Sequence, residues 1–385
     1  MSLSIIYYIL LAILFLSLII QLGFYFIPYT AILRRTRKIK KGNVPHNIEQ
    51  PPVSIIICAR NEGENLRRFL PLVLEQDYLN YEVIIVNDGS CDDTEDIIKD
   101  LQKVYQNLYI TNIPQETRII SHKKLAITVG VKAAKNEILL FTDADCRPLT
   151  PNWITTMVRN FDEQTEFVIG HGNYYREKGF VSKMVSYDTL TIAMQYMGFA
   201  LLGHPYMGVG RNMAYRKSTF FRLKGFAGFL HIASGDDDLL INAFGKKHNT
   251  RIEPSCEAET LSLPKTTFRD WYYQKLRHLS TVDVYKSGSK LWVGLEPFSR
   301  GLFYLTTLLL IILGSNNPIL LAITIGSFLF RFLVQLIIIN STAKVYKDKG
   351  FGLSIILFDI LLPLITLYIL TIGKIFRRKA KFIWK

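Results

Sequence analysis

Residues 53–62 read Val-Ser-Ile-Ile-Ile-Cys-Ala-Arg-Asn-Glu, so that an apolar, β-branched run ends in three polar side chains. An apolar run without alternation is typical of a strand that is covered on both faces. The breaker Pro51-Pro52 precedes the run. Apolar residues at helical spacing follow it, at Leu66, Phe69, Leu70, Val73 and Leu74. The stretch therefore predicts a buried strand that leads into a helix, which Pro71 should kink or shorten.

The alternation of strand and helix continues toward the carboxyl terminus. Further strands are predicted over 83–86, 108–111 and 138–142. A helix over 125–134 precedes the last of them, and another carries Ile97, Ile98, Leu101 and Val104 on one face. Strands that alternate with helices predict an α/β fold with a mostly parallel central sheet.

Polar side chains follow three of these strands, at the edge where such sheets bind ligands. They are Arg60-Asn61-Glu62, Asp88 and Asp143-Ala144-Asp145. Asp143 and Asp145 are separated by one residue, so both carboxylates point to the same side of an extended chain. Such a pair can bind Mg²⁺ or Mn²⁺, and the cation can bridge the oxygens of a diphosphate. For an isolated pair, a solvated turn with a helix-capping aspartate is the alternative.

The apolar residues, 49% of the 385, are unevenly distributed. Residues 5–27 carry no charge and are long enough to cross roughly 30 Å of hydrocarbon. No basic residue precedes them and no small-residue cleavage site follows, which argues against a secretory signal. We therefore predict a transmembrane helix in residues 1–33 and a basic linker over 34–52. The linker's positive charges predict that the next domain, 53–299, is cytoplasmic.

Apolar segments return at the carboxyl end. Residues 300–374 predict two to three further spans, followed by a basic tail over 375–385, as in a multi-pass protein of the inner (cytoplasmic) membrane. One amino-terminal span and three more would place the tail outside. The segment from residue 374 onward nevertheless carries six basic residues: Lys374, Arg377, Arg378, Lys379, Lys381 and Lys385. Either one segment is re-entrant or interfacial, or the positive-inside rule fails at this end.

The formal charge of +14 lies largely beside the apolar spans. Anionic lipid headgroups account for charge in that position, so we predict membrane lipids and no nucleic acid as partners. The four cysteines show no paired metal-ligand spacing, and we expect them to be reduced thiols in a cytoplasmic domain.

Three segments resemble, in order and spacing, the signatures of family 2 glycosyltransferases. They are residues 53–62, Val86-Asn87-Asp88-Gly89-Ser90 and Phe141-Thr142-Asp143-Ala144-Asp145. The resemblance covers residues 53–280 and implies a GT-A domain that binds a nucleotide-sugar. By this resemblance Asp88 contacts the base, and Asp143 and Asp145 hold the metal and the diphosphate. Four further residues of these segments are expected at the nucleotide: Ala59, Arg60, Glu62 and Ala144.

Four other segments extend the resemblance. Lys123 and Lys124 resemble the basic position ahead of the family's Ala-rich helix, so both are expected to contact the phosphates of the nucleotide, and surface lysines are the alternative. Ser234-Gly235-Asp236 resembles the Thr-Glu-Asp motif, which implies that Asp236 is the general base, with Asp237 as the alternate because Gly235 replaces the glutamate. The resemblance also assigns four residues to the acceptor and diphosphate: Arg211 and Asn212 after Gly210, and Gln274 and Arg277 in a variant Gln-X-X-Arg-Trp motif in which His278 replaces Trp.

The resemblance implies an inverting, metal-dependent transferase that moves a sugar, more specifically from a UDP-sugar, to a lipid-linked or cell-envelope glycan acceptor. A processive polysaccharide synthase is the alternative within enzymes. A catalytically silent scaffold for envelope assembly is the alternative from another class. Acidic groups at several strand ends argue against the scaffold, which has no need of them.

Overall fold

The computed structural model describes residues 3–47, 49–113 and 121–377. It begins with helix α1 (Leu3–Phe24), a π-helical turn (Tyr25–Tyr29) and helix α2 (Ala31–Lys40). The first residues of the predicted linker are therefore helical. They contain no Gly or Pro, and the helix ends shortly before Gly42, which has a φ of 69°. The π-helical turn contains Pro28, which cannot donate a backbone hydrogen bond to the helix.

The amino-terminal half of the following domain alternates strands and helices as predicted. Its elements are β1 (Val53–Ala59), α3 (Gly63–Leu74), β2 (Tyr81–Asn87), α4 (Thr94–Gln102), β3 (Leu108–Asn112), α5 (His122–Ala133) and β4 (Ile138–Asp143). Two details differ from the prediction. Helix α4 ends before Val104, which is exposed, and α5 begins early enough to include Lys123 and Lys124 in its first turn.

Further strands and α-helices, most of them short, complete the domain. They are β5 (Cys146–Pro148), α6 (Trp153–Val158), β6 (Phe167–Ile169), β7 (Gly172–Tyr174), α7 (Phe180–Leu201), β8 (Met213–Arg216), α8 (Lys217–Arg222), α9 (Asp238–Phe244), β9 (Thr250–Ile252), β10 (Thr260–Ser262) and α10 (Phe268–Leu279). The chain ends in three long helices, α11 (Ser287–Leu313), α12 (Pro318–Val345) and α13 (Ser354–Arg377). Helix α11 begins well before residue 300, where the carboxyl-terminal spans were predicted to start.

The central sheet has the strand order β3-β2-β1-β4-β8-β6-β9. Strands β3, β2, β1 and β4 are parallel, and β8 is antiparallel to both of its neighbours. Strand β1 is buried at every position, as its unbroken apolar run predicts. The predicted α/β class with a mostly parallel sheet is confirmed. A small sheet of order β5-β10-β7 lies beside the end of β4.

Within the part of the chain that the structure describes, four helical segments are long and apolar enough to cross a membrane, by length and composition. They are Ile5–Lys40, Ser287–Leu313, Pro318–Val345 and Ser354–Thr371. The first runs through α1, the π-helical turn and α2. Three candidate spans therefore follow the α/β domain, the larger of the two numbers that the sequence predicts.

Candidate active site

The strand register brings the predicted polar residues to one edge of the sheet. Ala59 pairs with Asn87 across β1 and β2, and Cys58 pairs with Asp143 across β1 and β4. Asp88 follows directly and donates its backbone N–H to the carbonyl oxygen of Ala59, at 2.9 Å. The segments that follow β1, β2 and β4 therefore converge, because parallel strands end at the same edge.

Asp88 is buried between two cationic or titratable side chains. Its Oδ2 lies 3.4 Å from Nη1 of Arg60, and its Oδ1 lies 3.3 Å from Nδ1 of His122. The sequence analysis did not single out His122, although it directly precedes Lys123. This corner brings together a carboxylate, a guanidinium and an imidazole.

Glu62 faces the same cleft from the loop after β1. Its carboxylate accepts a hydrogen bond from Nδ2 of Asn65 at 2.6 Å. Burial raises the pKa of Glu62, and the negative charges of Asp145 and Asp143 raise it further. The loop itself is held by Asn61, which has a φ of 54° and accepts a hydrogen bond from the backbone of Cys91.

Asp143, Asp145 and Cys146 form a group of potential metal ligands whose donor atoms lie within 4.8 Å of one another. Ala144, between the two aspartates, is buried. Burial raises the pKa of Asp145, and the nearby Asp143 adds to the effect, so a bound cation would relieve the repulsion between them. Burial also raises the pKa of the Cys146 thiol well above its ordinary value. Two carboxylates with a protonated thiol suit a hard cation such as Mg²⁺ or Mn²⁺.

Lys123 connects the metal-ligand pair to the second acidic group. Its Nζ lies 2.9 Å from Oδ1 of Asp143 and 3.2 Å from Oδ2 of Asp236. Burial alone would lower the pKa of Lys123, but Asp143 and Asp236 outweigh it and the pKa is raised well above its ordinary value. Lys123 is therefore a fixed positive charge in the cleft.

Asp236 and Asp237 differ in their partners. Burial opposes ionisation of Asp236, but the charges of Lys123 and Arg277 lower its pKa below the ordinary value, so it is a carboxylate at neutral pH. Asp237 accepts hydrogen bonds from the backbone N–H groups of Gly210 at 3.0 Å and Asp238 at 2.9 Å. Burial and the neighbouring Asp236 raise the pKa of Asp237 to about 7. Asp236 lines the cleft with Lys123 and Asp143. Both carboxylate oxygens of Asp237 instead accept hydrogen bonds from backbone N–H groups.

Lys124 does not join the cleft. Its side chain is fully buried, and Nζ donates to the carbonyl oxygens of Phe229 at 2.9 Å, Ile232 at 2.6 Å and Ser234 at 2.7 Å. The expected contact of Lys124 with the nucleotide is thus replaced by support of the loop that leads to Asp236. The reason is helical geometry, because adjacent residues of α5 point in different directions.

The adjacent residues Arg211 and Asn212, both predicted to contact the acceptor, also have different environments. Asn212 is buried: its Nδ2 donates to the carbonyl oxygens of His171 and Ala258, and its Oδ1 accepts from Nε1 of Trp153. In this structure its side-chain polar atoms all bond to other parts of the fold, which leaves none for the expected contact with an acceptor. Arg211 instead stacks on the ring of Tyr174, 4.1 Å from guanidinium carbon to centroid.

Gln274 and Arg277 lie on α10, three residues apart, and both interact with groups of the site. Nε2 of Gln274 donates to the hydroxyl of Tyr174 at 2.7 Å, so that Tyr174 links it to Arg211. Arg277 is close enough to Asp236 to lower the pKa of that carboxyl. Tyr174, which the sequence analysis missed, carries no motif signal and becomes visible only through these contacts.

Known proteins resemble this chain over the same region. The sequence model of the family described as Glycosyl transferase family 2 matches residues 54–223. The chain is 33% identical over 139 residues, 34% of its length, to UDP-Glc:alpha-D-GlcNAc-diphosphoundecaprenol beta-1,3-glucosyltransferase WfaP of Escherichia coli, of which the match covers 48%. It is 32% identical over 93 residues, 24% of its length, to the poly-beta-1,6-N-acetyl-D-glucosamine synthase of Staphylococcus epidermidis, of which the match covers 21%. The chain thus spans half or less of the length of these curated relatives.

The fold is shared with a solved structure, the mannosyltransferase PcManGT from Pyrobaculum calidifontis in complex with GDP-Man and Mn²⁺. The TM-score is 0.55 at 17% identity, and the superposition covers 88% of this chain and 100% of that one. From the family match, the named relatives and this shared fold, we conclude that residues 54–223 form a glycosyl transferase family 2 domain and that this domain has the GT-A fold.

Proposed function

We propose that the protein is an inverting, metal-dependent glycosyltransferase that moves a sugar from a UDP-sugar to a lipid-linked or envelope glycan acceptor. The observation that carries the proposal is the position of Lys123, whose Nζ contacts both Asp143 and Asp236. One cleft therefore contains two carboxylates with different roles. Asp143 is suited to hold a cation for the donor's diphosphate, and Asp236 is suited to accept the acceptor's proton.

The residues of the cleft divide the reaction between them. Asp88, with Arg60 and His122, binds the nucleoside, and Asp143 and Asp145 hold Mg²⁺ or Mn²⁺. A cation held there would supply positive charge to the leaving nucleoside diphosphate. Asp236 accepts the proton of the acceptor hydroxyl as its oxygen bonds to the anomeric carbon, while the bond from that carbon to the phosphate oxygen breaks. Attack opposite the leaving group inverts the anomeric configuration.

The relatives support the substrate classes. The E. coli relative is named for a UDP-glucose donor and a diphosphoundecaprenol-linked acceptor, and a membrane-anchored catalytic domain suits an acceptor held in the lipid. Four candidate spans and the basic α2 support a place in the inner membrane with the catalytic domain in the cytoplasm. The S. epidermidis relative is named a polymer synthase, so processive synthesis is a second candidate, and the length of the product distinguishes the two.

Purified full-length protein tests the proposal. We expect it to release UDP from at least one UDP-sugar when Mn²⁺ or Mg²⁺ and an acceptor lipid extract are present, and not with EDTA. Asp236→Asn should lower kcat by about 10²–10⁴-fold, the usual contribution of a general base, with donor binding retained. Asp145→Asn should weaken metal-dependent donor binding measured by calorimetry.

The matched control is Asp96→Asn, the same change at an exposed position of α4. It should leave both quantities at the wild-type value. Metal-independent donor binding that survives Asp145→Asn, or full turnover by Asp236→Asn, would contradict the proposed roles.

A further inference from the structure

Helix α13 contacts the catalytic domain along much of its length. Near its start, the ring centroid of Phe358 lies 5.5 Å from those of Phe180 and Tyr187 in α7. Beyond Pro363, the ring centroid of Tyr368 lies 6.3 Å from that of Tyr272 in α10. A helix that left the catalytic domain to cross the bilayer would lose such contacts after its first turns.

Helix α10 indicates how deep in the membrane the contact between Tyr368 and Tyr272 can lie. It carries the charged residues Arg269, Asp270, Lys275 and Arg277. Lys275 forms an ion pair with Asp188 of α7. Charged side chains of this density are costly in hydrocarbon, so α10 lies at or outside the membrane interface. Because Tyr368 contacts Tyr272 of α10, Tyr368 must also lie close to the membrane interface.

The rest of α13 is too short to reach the other side. From Tyr368 to Arg377, the end of the helix, an α-helix advances about 14 Å at 1.5 Å per residue. The hydrocarbon layer is roughly 30 Å thick. The described helix therefore ends within the half of the bilayer nearest the catalytic domain.

One face of α13 is apolar and uncovered. Leu357, Ile360, Leu364 and Leu367 are exposed and recur at helical spacing, while Phe358 and its neighbours on the other face are buried. Helix α13 also touches the candidate spans α11 and α12, which carry exposed apolar side chains of their own. Basic residues follow in the sequence from Lys374 onward, and they complement anionic lipid headgroups.

We propose that α13 does not cross the membrane but lies in the interface of the leaflet beside the catalytic domain, with its uncovered apolar face docked on lipid. Helices α1, α11 and α12 then provide three crossings among the described residues. The loop after α12 is on the catalytic side, because Arg176 donates to the carbonyl oxygen of Gly350 at 3.2 Å. The end of α13 remains on that side too, which agrees with the positive-inside rule. The inference does not depend on the transferase activity.

Cysteine labelling of the full-length protein tests the topology. In a background with Cys91→Ser and Cys256→Ser, single cysteines replace Asp96 in the catalytic domain, Ser315 between α11 and α12, and Lys374 near the end of α13. A membrane-impermeant maleimide is applied to sealed vesicles. We expect the cysteine at 374 to label from the same side as the one at 96 and from the side opposite to 315. Labelling of 374 together with 315 would overturn the proposal.

A depth measurement gives an independent result if position 374 resists labelling. A nitroxide at Leu364→Cys should report a depth near the headgroups in vesicles that contain phosphatidylglycerol. The control is Ile325→Cys, exposed on α12, which should be clearly deeper. Equal depths at the two positions would show that α13 crosses the bilayer.

Discussion

Lys123 and Lys124 are adjacent in the sequence and have different environments in the fold. Lys123 contacts Asp143 and Asp236 and places a positive charge between two carboxylates that would otherwise repel each other. Lys124 points into the protein and donates to three backbone carbonyls. The first sets the charge of the cleft, and the second holds the loop that positions Asp236.

Replacement of Lys124 tests this division. Lys124→Met retains much of the volume but leaves the carbonyls of Phe229, Ile232 and Ser234 without their donor. We expect the displaced loop to lower kcat by about 10–10²-fold, as small misplacements of catalytic groups do, with a nearly unchanged dissociation constant for the donor. Lys132→Met, at an exposed position of the same helix, is the control. A loss of donor binding that matches the loss of kcat would instead place Lys124 at the nucleotide.

Glu259 should give the stability of the protein a pH dependence. Burial raises its pKa from an ordinary 4.5 to about 8, and Asp348 adds to the shift. Between these values the folded protein keeps a proton that the unfolded chain has lost. The contribution of Glu259 to stability is therefore fully present below pH 4.5 and is lost as the pH rises toward 8.

The isosteric variant Glu259→Gln should remove this dependence. It keeps a side-chain oxygen for the hydrogen bond from Nδ2 of Asn173, which is 2.9 Å long in the wild type. We expect its melting temperature to exceed that of the wild type at pH 8 and to approach it at pH 5, measured by thermal shift in detergent. A constant difference across this range would show that Glu259 ionises normally in the folded protein.

At the level of elements, α7 joins the catalytic domain to the amino-terminal helix. It packs against the π-helical turn, and the approach is closest at Gly198. A Cβ placed there would lie 2.3 Å from the carbonyl oxygen of Pro28. The contact requires a glycine because backbone meets backbone.

Gly198→Ala should therefore separate the two elements. Overpacking of this kind costs about 1–3 kcal/mol, and we expect a lower thermal unfolding temperature in detergent. Gly23→Ala makes the same change in α1, at a position with no atom within 4 Å of the added Cβ, and should be neutral or slightly stabilising. Equal effects of the two substitutions would mean that helix propensity, and not the contact with Pro28, determines the result.

At the level of the whole molecule, a buried polar network joins the four membrane-associated helices. Asp359 of α13 pairs with Arg331 of α12 at 2.8 Å and with Arg300 of α11 at 3.0 Å. Arg331 also donates to Oε1 of Gln21 in α1, at 2.8 Å. Because buried charges must be paired, the network specifies how the helices assemble.

Asp359→Ala should destabilise this assembly strongly. Removal of one partner of a buried ion pair costs about 3–5 kcal/mol, since it leaves an uncompensated charge. The double variant Asp359→Leu with Arg331→Met removes both charges and should recover part of the loss, while Arg300 keeps Glu296 as its partner. Thermal unfolding of the three proteins measures the effect. A double variant as unstable as Asp359→Ala would show that the pairing of Asp359 with Arg331 contributes little.

The sequence by itself determined the strands, the alternation with helices, the acidic residues at the strand ends and the apolar segments. These features are local, because side-chain volume, β-branching and spacing along a few residues decide them. Tertiary structure decided which of two adjacent lysines enters the cleft, that Asn212 serves the fold, and that His122 and Tyr174 face the site. It also decided the contacts of α13 with α7 and α10, from which we infer the course of a helix whose composition alone fits a span. Each of these depends on burial and hydrogen bonding between distant segments, such as Lys124 and the carbonyl of Ser234, 110 residues apart.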